Sequence, residues 1–479
     1  MKICLIAEGS YPYITGGVSS WIHSLIKGMP EHEFVLYAIG AQEKNKGSFV
    51  YELPENVVAI HEVFLDTYFR EEAVPGKRLA LKEEEQKALL SLLDGSEVNW
   101  TAFFDLLVRG RLPSVGDFLT SRDFFDIVQK LCEQKYPQIP FTEMIWMIRS
   151  MILPLCLIIE GGMPEADLYH SVCTGYGGIA GALGKHLYHK PFLLTEHGIY
   201  TREREEEIIK AGWIKGHFKD IWIDYFLNLS KCAYAYSDRV ITLFGRNKEI
   251  QIELGCDEGK IAIIPNGVEV GEYQSLPGKE LDEEGAIYIG ALVRVVPIKD
   301  IKTLIQSFAL VHERIPHAYL IIMGPTNEDP EYFEECRQLV ASLQLSRVNF
   351  TGTVSAKEYL GKMDMLVLTS ISEGQPLVIL EGMASAKPFV TTDVGSCREL
   401  LYGNGDEFQD AGIVVPVMHA GQIAQAMITL CEEEELRRQM GQNGLQRVSA
   451  LYTKRQFLEA YRNLYREMEV QSWQVSGLS

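Results

Sequence analysis

Short apolar runs alternate with amphipathic stretches along almost the whole chain, and that alternation admits few folds. It is the pattern of parallel strands joined by covering helices. The strand candidates of the first half are 3–7, 34–39, 168–172, 192–195 and 240–243. Those of the second half are 286–290, 319–323, 348–351, 365–369, 389–392 and 413–415. Between the two series, around 266–285, Gly, Pro and acidic residues cluster as they do in linkers. At 479 residues the chain is too long for one core. The expectation is α/β, with an N-terminal Rossmann-like domain over 1–270 and a C-terminal one over 271–455. Open parallel sheets bind ligands at the carboxyl ends of their strands, so the cleft between two such domains is the expected site.

Two segments interrupt the alternation. From about 64 to 159 the chain is rich in Leu, Phe, Glu and Lys at helical spacing, a helical insertion in the first domain. Over 456–479 a helix places Phe457, Leu458, Tyr461, Leu464, Tyr465 and Met468 on one face, which is expected to pack back on the N-terminal domain. The most apolar window, 144–159, is broken by Arg149 and Pro154 and reads as a buried helix, not a membrane span. The opening MKICLIAEGS reads as a first strand, not a signal peptide. Nine scattered cysteines with no Cys-x-x-Cys pair fit reduced thiols in the cytoplasm and imply no structural zinc. A formal net charge of −20 argues against nucleic acid as a partner and against retention on anionic lipid by charge alone.

The stretch 370–395, SISEGQPLVILEGMASAKPFVTTDVG, carries the chemistry. Glu373 and Glu381 stand across a loop-to-helix junction, with Pro376 well placed as a first helical residue. First-turn N–H groups of such a helix suit a phosphate, whereas carboxylates repel one unless they accept from hydroxyls of the same ligand. A nucleotide sugar offers both. Upstream, IGALVRVVPIKD sets Arg294 and Lys299 in a loop after a strand, a cation pair fit to grip a diphosphate. Gly16 and Gly17 follow the first strand and open a helix over 18–27, where backbone N–H groups can approach a phosphate. His197, after the strand 192–195, reads either as a structural histidine or, facing the cleft, as a donor to a sugar hydroxyl or carbonyl. The charged run 202–207 is mainly a solvated face, with Arg202 and Arg204 as weaker acceptor contacts. No Rossmann glycine fingerprint, Walker loop, Asp-x-Asp or metal-ligand spacing occurs, so neither a nicotinamide cofactor nor a metal is expected. Glu373 and Glu381 as the acid and base of a glycoside hydrolase is the rival reading of the pair.

Taken in order, these residues, with Asn266–Gly267–Val268 and His197–Gly198, resemble the retaining GT-B glycosyltransferases of family four. That family includes sucrose-phosphate synthase and mannosyltransferases. The insertion, TEHGIYTREREEEI and the 370–395 stretch narrow the likeness to the cytoplasmic enzymes of Pel exopolysaccharide synthesis. The resemblance implies a metal-independent transferase taking a UDP-N-acetylhexosamine or UDP-glucose. It implies a polysaccharide acceptor, membrane-embedded Pel synthase proteins as partners, and recruitment to the inner face of the cytoplasmic membrane. Arg294 and Lys299 would bind the pyrophosphate, and Glu381 the ribose. Glu373 with the N–H groups of Gly374 and Gln375 would hold the transferred sugar, and His197 would contact it near its 6-position. Gly16 and Gly17 would approach the β-phosphate. Many relatives have Gly-Phe-Gly after the first Glu, whereas Gly374–Gln375–Pro376 stands here, and Pro376 has no N–H to offer. The alternative from a different class is a silent nucleotide-sugar-binding scaffold of a membrane synthase.

Overall fold

The computed structural model describes residues 1–66, 76–108, 114–279 and 285–476, with side chains to 470. Parts of three expected segments lie outside the described residues: 67–75 and 109–113 of the insertion, 280–284 of the linker and 477–479 of the final helix. The chain divides into two compact units. The first comprises Met1–Thr242, Asn247–Ile263 and Tyr461–Ser479; the second comprises Leu243–Arg246 and Ile264–Ala460.

Among the described residues the first unit holds seven parallel strands in the order β3-β2-β1-β4-β5-β6-β7. They are β1 Lys2–Glu8, β2 Glu33–Gly40, β3 Val57–Phe64, β4 Leu168–Ser171, β5 Phe192–Glu196, β6 Arg239–Thr242 and β7 Ile261–Ile263. Six parallel strands in the order β10-β9-β8-β11-β12-β13 form the second sheet. They are β8 Ile287–Leu292, β9 Ala318–Met323, β10 Val348–Gly352, β11 Met365–Leu368, β12 Phe389–Thr392 and β13 Gly412–Val415. The central strands β4, β5, β11 and β12 are buried along their whole length, as strands covered by helices on both faces must be. In each sheet the strand order reverses once, between β1 and β4 and between β8 and β11. Ligands of open α/β sheets gather outside the carboxyl ends of the strands at such a reversal.

Between β3 and β4 the described residues form five helices: Glu83–Asp94, Trp100–Val108, Val115–Leu119, Arg122–Lys135 and Phe141–Glu160. Their apolar faces, including Leu89, Phe103, Phe118 and Ile148, share one core with the helices on the first sheet. Phe141–Glu160 is, among the described residues, the one helix long and apolar enough to cross a membrane by length and composition. Half of its apolar window is buried inside the first unit, and Pro154 sits within it. The final helix runs Lys454–Ser476; its residues from Tyr461 count with the first unit. Tyr461, Tyr465 and Met468 are fully buried. In the second unit the fully buried Arg447 ties three chain segments together. Its guanidinium meets both carboxylate oxygens of Asp406 at 3.0 and 3.1 Å and donates to the carbonyls of Leu401 and Phe408.

Candidate functional site

In the second unit the reversal of strand order falls between β8 and β11, and the loops leaving those two strands carry Arg294, Lys299 and Glu373. The β8 loop is anchored first. Val293 N–H donates to the Met323 carbonyl at 2.8 Å, and Val295 N–H to the Pro325 carbonyl at 3.0 Å. Gly324 makes that approach possible: its φ is +150°, and a Cβ there would lie 2.0 Å from the Val293 oxygen. Arg294 is half exposed and reaches Glu328 at 2.7 Å. Lys299 closes a single 3₁₀ turn, Pro297–Lys299, after which Asp300 adopts a left-handed φ of +49° and caps the helix Ile301–Arg314.

The β11 loop is latched onto that turn. Thr369 Oγ1 donates to the carbonyls of Lys299 at 3.0 Å and Asp300 at 3.2 Å, and Ile371 N–H donates to the Ile298 carbonyl at 2.9 Å. These bonds bring Lys299 Nζ to 2.5 Å from Glu373 Oε1, which also accepts from Ser370 Oγ at 2.5 Å. The side chains of Lys299 and Glu373 are only 16% and 11% exposed, so this is a largely desolvated ion pair. Expected to serve two parts of one ligand, the two residues are direct partners.

Beyond Glu373 the chain is held from below. Ser396 N–H donates to the Gly374 carbonyl at 3.0 Å. Gln375 is buried, and its side-chain oxygen accepts from Asn266 N–H at 2.5 Å. Its backbone carbonyl accepts from the Asn266 amide at 3.4 Å. Among the described residues none accepts from the N–H groups of Gly374 or Gln375, and those are the groups expected to meet a ligand. Pro376 stands one position outside the expected place. Its ψ of 114° is extended, so it is the N-cap and Leu377 opens the helix Leu377–Ala384. Glu381 lies a turn inside that helix, half-buried. Burial raises its carboxyl, while a hydrogen bond from Tyr273 and the charge of Lys357 act in the opposite direction. Tyr273 was not legible as a site residue, since it sits in the linker region with no motif around it.

In the first unit Gly16 and Gly17 lie at the start of the helix Gly17–Lys27, after β1. A Cβ on either would meet nothing within 4 Å, so the protein's own packing does not require glycine there. His197 follows β5. Its Nε2 is buried without a hydrogen-bond partner among the described residues, and burial lowers its pKa to about 4, so the ring is neutral. The preceding Glu196 is buried and accepts from Tyr200 N–H at 3.2 Å, Tyr234 Oη at 2.7 Å and Gln251 Nε2 at 2.7 Å. Of the charged run, Arg202 is exposed, whereas Arg204 turns inward. It reaches Glu8 at 3.5 Å and lies 5.0 Å from the centroid of the Tyr200 ring. Among the described residues no group of three or more His, Cys, Asp or Glu could hold a metal ion.

Buried neutral histidines should make the first unit acid-sensitive. His170, fully buried, is lowered to about 3 by burial and His197 to about 4, both from 6.5. A lowered histidine contributes stability that is complete above pH 6.5 and is lost as the pH falls toward the folded-state value. Each therefore adds up to about 1.4 kcal/mol of lost stability per pH unit on acidification. Glu196 and Glu203, both raised chiefly by burial, act in the opposite direction, so the net slope is smaller. Urea denaturation between pH 6.5 and 4.5 should show stability falling with pH, and a flatter slope in His170→Gln. Equal slopes would show that His170 protonates as easily folded as unfolded.

Residues 1–259 match the family described as a domain of unknown function, DUF3492, and residues 283–433 match the family described as glycosyl transferases group 1. An uncharacterized glycosyltransferase of Methanocaldococcus jannaschii is 27% identical over 282 residues, 58% of this chain and 69% of that protein. A second relative, from Campylobacter jejuni, is an N,N'-diacetylbacillosaminyl-diphospho-undecaprenol alpha-1,3-N-acetylgalactosaminyltransferase. It is 25% identical over 252 residues, 50% of this chain and 64% of that protein. Among solved structures, sucrose-phosphate synthase from Thermosynechococcus elongatus superposes with a TM-score of 0.62 at 17% identity, over 98% of this chain and 99% of its own. HepE of Anabaena in complex with UDP and glucose gives 0.61 at 15% identity, over 98% of this chain and 100% of its own. These likenesses establish the GT-B fold.

Proposed function

We propose that this chain, which belongs to the DUF3492 family and is a GT-B glycosyltransferase, moves a hexose or N-acetylhexosamine from a UDP-sugar to a growing exopolysaccharide. Anomeric configuration is retained and no metal takes part. The observation that carries the reading is the desolvated Lys299–Glu373 pair beside the N–H groups of Gly374 and Gln375, which have no acceptor among the described residues. A cation, a carboxylate and two free donors at one loop suit a ligand that is part anion and part polyol. The cation suits a diphosphate better than the neutral glycan of a hydrolase.

In this reading Lys299 and Arg294 take the pyrophosphate and stabilise the charge that grows on the departing diphosphate. Glu373, with the N–H groups of Gly374 and Gln375, fixes the sugar hydroxyls. Glu381, kept poised by Tyr273, accepts from the ribose diol. His197, neutral and with a free Nε2, bonds the sugar near its 6-position, and the helix opened by Gly16 and Gly17 offers N–H groups to the β-phosphate. The acceptor hydroxyl attacks from the face the diphosphate leaves, and a phosphate oxygen takes its proton. No protein nucleophile is needed.

Resemblance to PelF makes the product a Pel-type polymer, the membrane-embedded Pel synthase proteins the partners, and the inner face of the cytoplasmic membrane the place of work. Calorimetric titration with UDP, UDP-glucose, UDP-N-acetylglucosamine and UDP-N-acetylgalactosamine, followed by assay of acceptor-free hydrolysis, tests the reading. One UDP-sugar should bind at least about tenfold more tightly than the others and be slowly hydrolysed. Binding without any turnover, with or without acceptor, would leave only a scaffold.

A further inference from the structure

A buried chain of hydrogen bonds begins and ends on the last helix and passes through Thr195, two residues before His197. Tyr465 Oη lies 2.8 Å from His170 Nδ1, His170 Nε2 lies 2.8 Å from Thr195 Oγ1, and Thr195 Oγ1 lies 3.0 Å from Tyr461 Oη. All four residues are fully buried. His170 is neutral, so one ring nitrogen donates and the other accepts, and the chain has a single direction at the ring. Phenylalanine at 461 and 465 would fill the same volume without the need to satisfy hydroxyls. A satisfied polar network in a core is costly to assemble and fixes one geometry, which an apolar core does less strictly.

The geometry it fixes bears on His197. No described residue bonds His197 Nε2, so other contacts must set the angle of the ring. Trp21 meets it edge-on, with centroids 4.7 Å apart and planes at 84°. Trp21 is in turn held edge-on by Tyr461 at 5.3 Å and by His170 at 6.1 Å. Tyr461 thus acts twice, through Thr195 on the strand that leads into His197 and through Trp21 on the His197 ring.

We propose that Trp21 and Tyr461 are positioning residues that orient the His197 imidazole for the transferred sugar, which makes the C-terminal helix part of the apparatus for sugar recognition. The inference rests on the reading in which His197 contacts that sugar. Edge-to-face contacts and a buried hydroxyl are the means, and the free Nε2 is the group they aim.

The test uses the whole chain with whichever of UDP-glucose, UDP-N-acetylglucosamine or UDP-N-acetylgalactosamine the wild type hydrolyses fastest. Trp21→Leu should lower kcat/KM for hydrolysis by about 30-fold and Tyr461→Phe by about fivefold, the scale of a misaimed contact. Trp21→Phe should recover part of the loss, and the Kd for UDP alone should stay within about twofold in all three. The imidazole ¹⁵N and ¹H signals of His197 should move in Trp21→Leu and Tyr461→Phe, with melting curves showing folded protein. Wild-type hydrolysis in both variants, or reduced hydrolysis with unmoved His197 signals, would overturn the positioning role. His197→Ala separates the two layers of the argument. If it abolishes hydrolysis while the Trp21 and Tyr461 variants do not, only the positioning role falls; if it too is silent, the reading of His197 falls with it.

Discussion

Lys299→Ala is expected to lower UDP-sugar turnover by about 10³-fold, the cost of removing a preorganised charge that stabilises a leaving group in a water-poor site. The same change leaves Glu373 largely buried without its cation, and a half-deleted buried pair costs about 3–5 kcal/mol of stability. Activity and folding would then fall together and prove little. The double variant Lys299→Met/Glu373→Gln removes both charges, so melting should return toward the wild-type value while turnover stays lost. Arg294 provides a cleaner contrast, because it is 54% exposed and its pair with Glu328 contributes at most about 1 kcal/mol. Arg294→Ala should cost about 10²-fold in turnover with an unchanged melting temperature. Turnover undiminished in both single variants would remove the diphosphate from this loop.

How much of this was legible in the sequence depended on the depth of burial. Strands β4, β5, β11 and β12 are buried along their whole length, so each opens on an apolar pair or longer apolar run and is legible. The edge strands β3 and β7 were missed. Their residues are largely half-buried or exposed, and VVAIHEVF and IAI carry no clean period to read. Within the site, spacing placed Glu373 at the helix mouth and Glu381 a turn inside, because both belong to one local segment. Partners distant in sequence were invisible. Nothing in 370–395 says that the Gln375 side chain bonds Asn266, 109 positions away; the sequence offers only its backbone N–H, as a donor to the sugar, and its departure from the family pattern. The final helix shows the same limit. Its period put Tyr461 and Tyr465 on the buried face, but a period selects a face and not the hydroxyl's partner.

Gly395→Ala is expected to be the second most damaging change, although residue 395 is assigned no contact with a ligand. Its φ is +52°, and a Cβ there would lie 2.2 Å from the Gly374 carbonyl oxygen and 2.4 Å from that of Glu373. Both obstacles are backbone, so neither can rotate away, and the Glu373–Gly374 segment would have to lift. That movement would break the bond from Ser396 N–H to the Gly374 carbonyl and loosen Glu373 from Lys299. A displacement of about 1 Å at a residue that orients the reacting group costs about 10² in rate. The left-handed backbone by itself costs an alanine only about 1–2 kcal/mol. Gly405→Ala isolates that part, because Gly405 has φ +80° in the same unit and a Cβ there would meet nothing within 4 Å. Both variants should melt earlier than wild type, Gly395→Ala by more, and only Gly395→Ala should lose turnover. Equal turnover in the two would mean that the height of the Glu373–Gly374 loop does not govern transfer, and the sugar would have to be held by something other than Glu373.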